Sequence, residues 1–242
     1  LKANRGAVAL ASDEAQNIFN GAYVLAPQTP HEWSENIDDA TKLINNIIKN
    51  NNIDSNRIYS YGCSAGGYMA LDMVVHNPNL FAAVVSTCPA IDQQNIKTYG
   101  EGRIITDEEI KSINIPTWVI QAKDDTTVKY EESALRVYTL LKDKGAILTT
   151  YETGGHSSWI HTAKNEPANN GEHLWQWTAK QSLNDEIKTP VENTIKNEPV
   201  KKTSAVKTGD TNHVYLYVVT GSISMAVMAE YIHNKNKKSI TK

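Results

Sequence analysis

The chain has 242 residues, of which 40% are hydrophobic and 21% charged, enough for one globular domain with a substantial core. This composition excludes a fully disordered chain and a protein with many membrane spans. The formal net charge of −3 argues against a general nucleic-acid-binding protein, so we expect no nucleic-acid partner. Two cysteines, Cys63 and Cys88, are too few for a disulfide scaffold and lack the spacing of a zinc site.

The alternation of short apolar runs with helical patterns between residues 20 and 182 predicts βαβ units on a largely parallel sheet. In chain order we predict a strand at 22–26, a helix at 37–48, a strand at 57–61, a helix at 65–76, a strand at 82–86, a short helix after the capping box of Thr106 and Glu109, a strand at 117–121, a helix at 131–142, a strand at 147–151 and a Trp-rich helix at 173–181. Residues 37, 40, 43, 44, 47 and 48 form the predicted apolar stripe of the first helix.

The composition changes after Leu183. Residues 184–242 carry nine basic and six acidic side chains, which leaves a net −6 on residues 1–183. Residues 184–205 hold Pro190 and Pro199 among many polar side chains, which indicates a solvated linker between a domain at 1–183 and a segment at 206–242. The mostly apolar run at 214–232 has about the length that crosses a bilayer and is followed by lysines, so we predict a C-terminal hydrophobic helix. A final helix packed on the domain is the alternative, since Glu230 argues against lipid.

The segment Gly62-Cys63-Ser64-Ala65-Gly66 matches Gly-x-Ser-x-Gly between a predicted strand and a predicted helix. A turn of this kind holds the serine in a strained conformation, and the flanking glycines are needed where a Cβ would strike the neighbouring backbone. The N–H of Ala65, at the helix N-terminus, can donate to a developing oxyanion. We therefore predict that Ser64 is a nucleophile; a simple Gly-rich turn is the alternative.

A serine nucleophile needs a histidine base and an orienting acid. The loop after the fourth predicted strand offers Asp124 and Asp125 as the acid, and Asp92 is a remoter candidate. The alternative is that both aspartates of the loop only solvate a turn.

Of the seven histidines, only His156, His161 and His173 both follow that loop and could reach it from this end of the sheet. His156 comes after Gly154-Gly155, a loop flexible enough to bring an imidazole over the serine, whereas the other two are expected at the surface or in packing.

Residues 20–182 resemble the α/β-hydrolase superfamily, and within it the secreted esterase branch of polyhydroxybutyrate-depolymerase-like, feruloyl-esterase-like and predicted-peptidase proteins. The matching segments are Tyr23-Val24-Leu25-Ala26-Pro27-Gln28 followed by Trp33, Arg57-Ile58-Tyr59 before Gly62-Cys63-Ser64-Ala65-Gly66-Gly67, Asp125-x-x-Val128, and Gly155-His156-Ser157-Ser158-Trp159 before a Trp-bearing helix.

The resemblance implies Ser64 as nucleophile, His156 as general base and then acid, and Asp125, through its Asp-x-x-Val spacing, as the orienting acid. It implies hydrolysis of a carboxylic ester, carried by a carbohydrate, hydroxycinnamate or short-chain acid, through an acyl-enzyme and without a metal or organic cofactor. Trp33 and Trp159 either line the pocket or pack in the core. The alternatives are a serine peptidase of the prolyl-oligopeptidase type and a non-catalytic surface module.

The front of the chain departs from the family. A His-Gly-type loop, which supplies the second oxyanion N–H, normally ends the strand before 22–26, and residues 1–20 resemble the stretch after that loop. The resemblance thus implies an N-terminally incomplete domain, with a gap in the sheet between the strands at 22–26 and 57–61. Because unpaired central backbone is costly, we expect this chain alone to fold poorly or to be nearly inactive.

The segment Val206-Lys207-Thr208-Gly209-Asp210, with the apolar run and terminal lysines, resembles the sortase-type sorting signals of Gram-positive surface proteins, although Ala205-Val206 stand where Leu-Pro is usual. This implies an extracellular protein held at the cell wall by sortase processing, or in the membrane. In an exported protein Cys63 and Cys88, which follow neighbouring strands, could form a disulfide; two buried thiols are the favoured alternative.

Overall fold

The computed structural model describes residues 6–27, 36–91 and 103–183, together with the backbone of 214–220. The strands are β1 (Ala22–Leu25), β2 (Ile53–Cys63), β3 (Ala83–Thr87), β4 (Thr117–Ala122), β5 (Ile147–Tyr151), β6 (Ala168–Asn169), β7 (Glu172–His173) and β8 (Val214–Thr220). The helices are α1 (Gly6–Leu10), α2 (Asp13–Ile18), α3 (Ile37–Asn50), α4 (Ala65–His76), α5 (Asp107–Ser112), α6 (Ala134–Leu141), α7 (Trp159–Ala163) and α8 (Leu174–Ala179), and 3₁₀ turns cover Lys142–Lys144 and Gly155–Ser157.

The main sheet has the order β1-β8-β2-β3-β4-β5, and all of its neighbouring strands are parallel. The two-residue strands β6 and β7 form a separate antiparallel pair. Because parallel strands end at the same edge of a sheet, the loops that follow β2, β3, β4 and β5 lie side by side. The predicted parallel sheet flanked by helices is therefore confirmed.

Successive residues of the central strands pack on opposite faces of the sheet. Ile58 of β2 and Val119 of β4 join the core formed with α3, α4 and α6, whereas Tyr59 and Trp118 join the core formed with α2 and α8. With helices on both faces β3 and β4 are buried on both sides, which accounts for the apolar runs in these two strands.

Most predicted elements appear with small shifts at their ends. The bounds of α4 and β5 agree with the prediction, and the capping box of Thr106 and Glu109 is present at the start of α5. The predicted apolar stripe of α3 is wrong at one position. Ile37, Ala40 and Ile44 are buried as predicted, but Leu43 is 39% exposed.

The prediction of a hydrophobic helix beginning at residue 214 is wrong over its first seven residues. The backbone of Val214–Thr220 is a strand, paired with β1 at Ala22↔Tyr215 and with β2 at Tyr59↔Tyr217. It occupies the gap that the sequence predicts between the strands at 22–26 and 57–61. A run rich in Val and Tyr suits a strand, and pairing on both sides satisfies the backbone groups that β1 and β2 would otherwise leave open.

The rest of the tail, 221–242, lies outside the described residues, as do the linker at 184–205, the sorting-signal-like segment at 206–210, Trp33 and Asp92. Among the helices that the structure describes, none has the length and apolar character needed to cross a bilayer.

Candidate active site

Ser64 lies in the sharp turn between β2 and α4. Its backbone has φ 56° and ψ −123°, a region that costs a non-glycine residue about 1–3 kcal/mol. Hydrogen bonds hold the turn: the Ser64 N–H donates to the Thr87 carbonyl at 3.0 Å, and the Ser64 carbonyl accepts from the N–H groups of Tyr68 and Ala90 at 3.0 and 3.1 Å. The predicted strained elbow is present.

Glycine is required on both sides of this elbow. A Cβ on Gly62 would lie 1.8 Å from the carbonyl oxygen of Gly66, and one on Gly67 would lie 2.8 Å from the carbonyl oxygen of Thr87. Both clashes are with backbone, which cannot move aside as a flexible side chain does. Gly67 stands outside the five-residue motif, so the motif alone does not identify its role.

The structure brings Ser64, His156 and Asp125 together. The Ser64 Oγ lies 2.9 Å from His156 Nε2, and His156 Nδ1 lies 2.9 Å from Asp125 Oδ2. This pattern fits a neutral imidazole that donates its Nδ1–H to the carboxylate and accepts from the serine hydroxyl at Nε2. The three residues follow β2, β5 and β4, and they meet because those strands end at one edge of the sheet.

Asp125 is held as a buried carboxylate. The Asp125 Oδ1 accepts from the N–H groups of Thr127 and Val128 at 2.9 and 3.0 Å, and the Asp125 Oδ2 accepts from Gln121 Nε2 at 3.2 Å. Burial by itself would raise the pKa of Asp125, but hydrogen bonds from His156 and from the Val128 and Thr127 N–H groups outweigh it and leave the pKa below its usual value. The carboxyl therefore stays ionised facing the imidazole.

Asp124, the alternative acid, has a different place. Its carboxylate oxygens accept from the N–H groups of Gly154 and Gly155 at 3.2 and 2.7 Å. These glycines have φ of 147° and 55°, so the turn before His156 uses backbone angles that other residues avoid. Asp124 thus fixes the loop that carries the histidine, while Asp125 contacts the ring.

Two further polar side chains support the loops, and the sequence reasoning missed both. Gln121 donates from Nε2 to Asp125 and to the Val128 carbonyl, and its Oε1 accepts from the Ala134 N–H. The Ser158 Oγ accepts from the Ala122 N–H at 2.9 Å and ties the histidine loop to β4. A sequence feature that could have identified Gln121 is its position, because it is an amide side chain at the otherwise apolar end of a predicted central strand.

The other candidate residues lie around this centre. Ala65 begins α4, so its N–H is one of the first-turn donors that no helix carbonyl accepts. Trp159 is half-buried at the start of α7, three residues after His156. The His161 ring stacks on Tyr151 and contacts the Glu166 carboxylate, and His173 Nδ1 donates a hydrogen bond to the Asn165 carbonyl. These two histidines therefore have the packing and surface roles expected of them.

Cys63 and Cys88 are both free thiols in the structure and do not form the disulfide that the sequence left as an alternative. Cys88 is buried and has a positive φ of 37°, whereas Cys63 is partly exposed. Burial, and then the neighbouring Cys63, raise the pKa of the Cys88 thiol.

Comparison with known proteins gives a match to one family model and likenesses to solved structures. The family model of the prolyl oligopeptidase family matches residues 31–116, which include Ser64 but end before Asp125 and His156. Among curated protein sequences no significant relative is found. The chain is similar to a thermostable esterase of known crystal structure, with 27% identity and a TM-score of 0.52 over 74% of this chain and 48% of the esterase. It is also similar to the acylaminoacyl peptidase of Pyrococcus horikoshii, with 20% identity and a TM-score of 0.44 over 54% of this chain and 26% of the peptidase.

The chain thus spans about half the length of the esterase that it matches. Its parallel sheet flanked by helices is the α/β-hydrolase fold. The fold, the family match and the esterase likeness together support a serine hydrolase of the esterase and peptidase type.

Proposed function

We propose that this protein hydrolyses carboxylic esters, on small molecules or linked to polysaccharide, through an acyl-enzyme on Ser64. The observation that carries the proposal is the unbroken line of hydrogen bonds from Ser64 through His156 to Asp125, with both links at 2.9 Å. A hydroxyl joined to a neutral imidazole on one side of the ring, with a buried carboxylate on the other, is the arrangement that acyl transfer requires.

In the first half-reaction the Ser64 Oγ attacks the ester carbonyl carbon while His156 Nε2 takes the hydroxyl proton. The carbonyl oxygen becomes an oxyanion next to the elbow, where the Ala65 N–H is placed to donate to it. The imidazolium that forms is stabilised by Asp125, which remains an ionised carboxylate throughout. When the tetrahedral centre collapses, the ester C–O bond breaks and the leaving alkoxide takes the proton from Nε2.

In the second half-reaction water attacks the acyl-enzyme and gives a proton to His156 Nε2. The second tetrahedral centre collapses with the Ser64 oxygen as the leaving group, and Nε2 returns the proton to it. The acid product departs and the triad regains its starting protonation, so the cycle needs no redox partner.

The likeness to an esterase over 74% of the chain favours esters, whereas the match to the prolyl oligopeptidase family, confined to residues 31–116, makes a serine peptidase the second candidate. The test compares kcat/KM for p-nitrophenyl acetate, butyrate and ferulate with kcat/KM for N-blocked prolyl p-nitroanilides, with Ser64→Ala as the blank. We expect the esters to be preferred by the wild type. Because the sequence predicts an incomplete oxyanion site, the ratio and not the absolute rate is diagnostic, and a preference for anilides would favour the peptidase.

We also propose that the protein acts outside the cell, attached to its surface. Support comes from the sorting-signal-like pattern of residues 206–242. Residues 214–220 cannot lie in a membrane while they pair as β8, so attachment requires this segment to leave the sheet. Recovery in a washed cell-wall fraction would indicate sortase processing, recovery with membranes would indicate an anchor, and recovery only in the cytosol would contradict surface attachment.

A further inference from the structure

Cys88 lies against the triad but has no part in the proposed proton path. It follows β3, its side chain is buried, and one ligand atom each of Cys88, Asp125 and His156 lie within 4.8 Å of one another. The proposed chemistry uses His156 Nε2 on the Ser64 side of the ring. His156 Nδ1 faces Asp125, so the thiol, the carboxylate and Nδ1 offer a set of donor atoms separate from the Nε2 that the proposed proton transfer uses.

We propose that Cys88, Asp125 and His156 Nδ1 form an inhibitory binding site for a thiophilic divalent cation such as Zn²⁺. A thiolate sulfur, an imidazole nitrogen and a carboxylate oxygen are the three donor types that zinc takes in proteins, and water can complete the tetrahedron. Magnesium and calcium, which prefer sets of oxygen ligands, do not suit these donors.

The spacing of the cluster is close to that of a tetrahedral site. Zinc bonds of about 2.0 Å to nitrogen and oxygen and about 2.3 Å to sulfur place ligand atoms roughly 3.3–3.5 Å apart. The Nδ1 to Oδ2 distance of 2.9 Å must therefore open by a few tenths of an ångström, and the sulfur, which lies within 4.8 Å of the other two atoms, must close in by at most about 1.3 Å.

Access is from the side of the histidine. The His156 side chain is 27% exposed, whereas the Asp125 side chain is fully buried. The imidazole follows a turn that Asp124 holds through the Gly154 and Gly155 N–H groups, so an ion enters by a shift of the histidine side chain and displaces no strand.

Binding at Nδ1 would stop catalysis by fixing the wrong tautomer. The ion forms bonds to Sγ, Nδ1 and a carboxylate oxygen; the thiol proton goes to solvent, and the imidazole proton moves from Nδ1 to Nε2. One proton is thus released for each ion bound. Nε2 then carries a hydrogen that points at Ser64 and cannot accept the serine proton.

The binding test uses Cd²⁺, whose bond to a thiolate gives an ultraviolet charge-transfer band. We expect the band to reach one equivalent per chain in the wild type, in Ser64→Ala and in Cys63→Ala, and to be lost in Cys88→Ala and Cys88→Ser. Ser64→Ala has no expected turnover, so binding is measured independently of the proposed esterase activity. Absence of the band in the wild type, or its persistence in both Cys88 variants, would overturn the proposal.

The inhibition test adds Zn²⁺ to the wild type and to each variant during ester turnover, with every rate taken relative to that protein's own uninhibited rate. We expect inhibition that chelator reverses, and a Zn²⁺ concentration for half-inhibition at least ~10-fold higher in Cys88→Ala, since even partners outside the ligand shell change metal affinity by that much. Equal inhibition of Cys88→Ala and Cys63→Ala would contradict the site.

A third measurement needs no variant and covers the case in which the Cys88 substitutions do not fold. X-ray absorption at the zinc edge of the zinc-loaded wild type should show one sulfur and two or more nitrogen or oxygen neighbours at tetrahedral distances. Two sulfur neighbours would assign the ion to the Cys63 and Cys88 pair and overturn the triad-linked site.

Discussion

Two adjacent aspartates have different tasks in this site. Asp125 accepts from the imidazole, whereas Asp124 accepts from the backbone of the turn before it. Their chemistry is identical and their positions differ by one residue. They therefore provide a matched pair of substitutions for testing which carboxylate orients His156.

We predict that Asp125→Asn lowers kcat for an ester by roughly 10³–10⁴-fold, because an amide no longer favours the tautomer with the proton on Nδ1. Asp124→Asn keeps one acceptor oxygen for the turn and should lower kcat by less than ~10-fold. Both variants are compared by steady-state kinetics after their folded state is checked by circular dichroism. A larger loss in Asp124→Asn would reverse the assignment.

At this scale the sequence predicts Ser64 and His156 because each has a local signal, the elbow motif and the paired glycines. The local sequence does not decide whether Asp124 or Asp125 orients the histidine, since either residue can occupy a turn. The direction of each side chain depends on how the loop packs against the segment that follows β5. Gln121 and Ser158 have no motif at all. Their roles exist only because distant loops meet at the edge of the sheet.

The elbow between β2 and α4 depends on the close approach of its glycines to neighbouring backbone. We predict that Gly62→Ala lowers the free energy of unfolding by more than the ~1–3 kcal/mol typical of overpacking, because its Cβ would meet backbone at 1.8 Å. Gly145→Ala is the control: φ is 81° there, but a Cβ would have nothing within 4 Å. It should cost only about 1 kcal/mol of strain. Equal losses in urea unfolding would show that the elbow is not tightly packed.

The start of α5 gives a prediction with a pH dependence. Burial would raise the pKa of Glu109, but hydrogen bonds from the Thr106 N–H and from Arg103 outweigh it and leave the pKa below its usual value. A lowered pKa stabilises the fold above the unfolded-state value of about 4.3, and the gain disappears as pH falls through the lower folded-state value.

The destabilisation caused by Glu109→Gln should accordingly be largest at pH 7 and shrink at about pH 3. Thr106→Ala, which removes the other half of the capping box, should cost about 1 kcal/mol at neutral pH. Urea unfolding at the two pH values measures both. A Glu109→Gln effect that grows on acidification would contradict the direction of the pKa shift.

Strands and helices of the domain are predictable because their periodicity agrees with their burial: α4 and β5 have the predicted bounds. The apolar run at 214–232 is different. A run of this kind suits a buried strand as well as a membrane helix, and length alone favours the helix. What decides for a strand over Val214–Thr220 is the presence of unsatisfied partners, β1 and β2, almost 200 and 160 residues earlier in the chain.

At the scale of the whole molecule, β8 joins β1 to the rest of the sheet. We predict that Val218→Pro lowers the free energy of unfolding by roughly 3 kcal/mol or more, because proline cannot donate in a central strand and its ring disturbs the ladder. Thr203→Pro, in a segment that already contains Pro190 and Pro199, is the control and should change stability little. Equal stability of the two variants would show that β8 does not carry the sheet.

The active site likewise depends on the whole fold. Its three residues are distant in the chain, and they meet because the parallel strands β2, β4 and β5 end at the same edge of the sheet. Motif and chain order predict the set, but the 2.9 Å distances, and the thiol of Cys88 beside the cluster, follow only from how β3, β4 and β5 are arranged.

Covalent labelling with a fluorophosphonate, read by mass spectrometry of the peptide that contains Ser64, tests directly whether His156 activates Ser64 as a nucleophile. We expect one label per chain at Ser64 in the wild type, none in Ser64→Ala, and labelling slowed by at least ~100-fold in His156→Ala, because the hydroxyl has lost its base. Labelling absent from the folded wild type would favour a non-catalytic module, and labelling unaffected by the loss of His156 would contradict the triad.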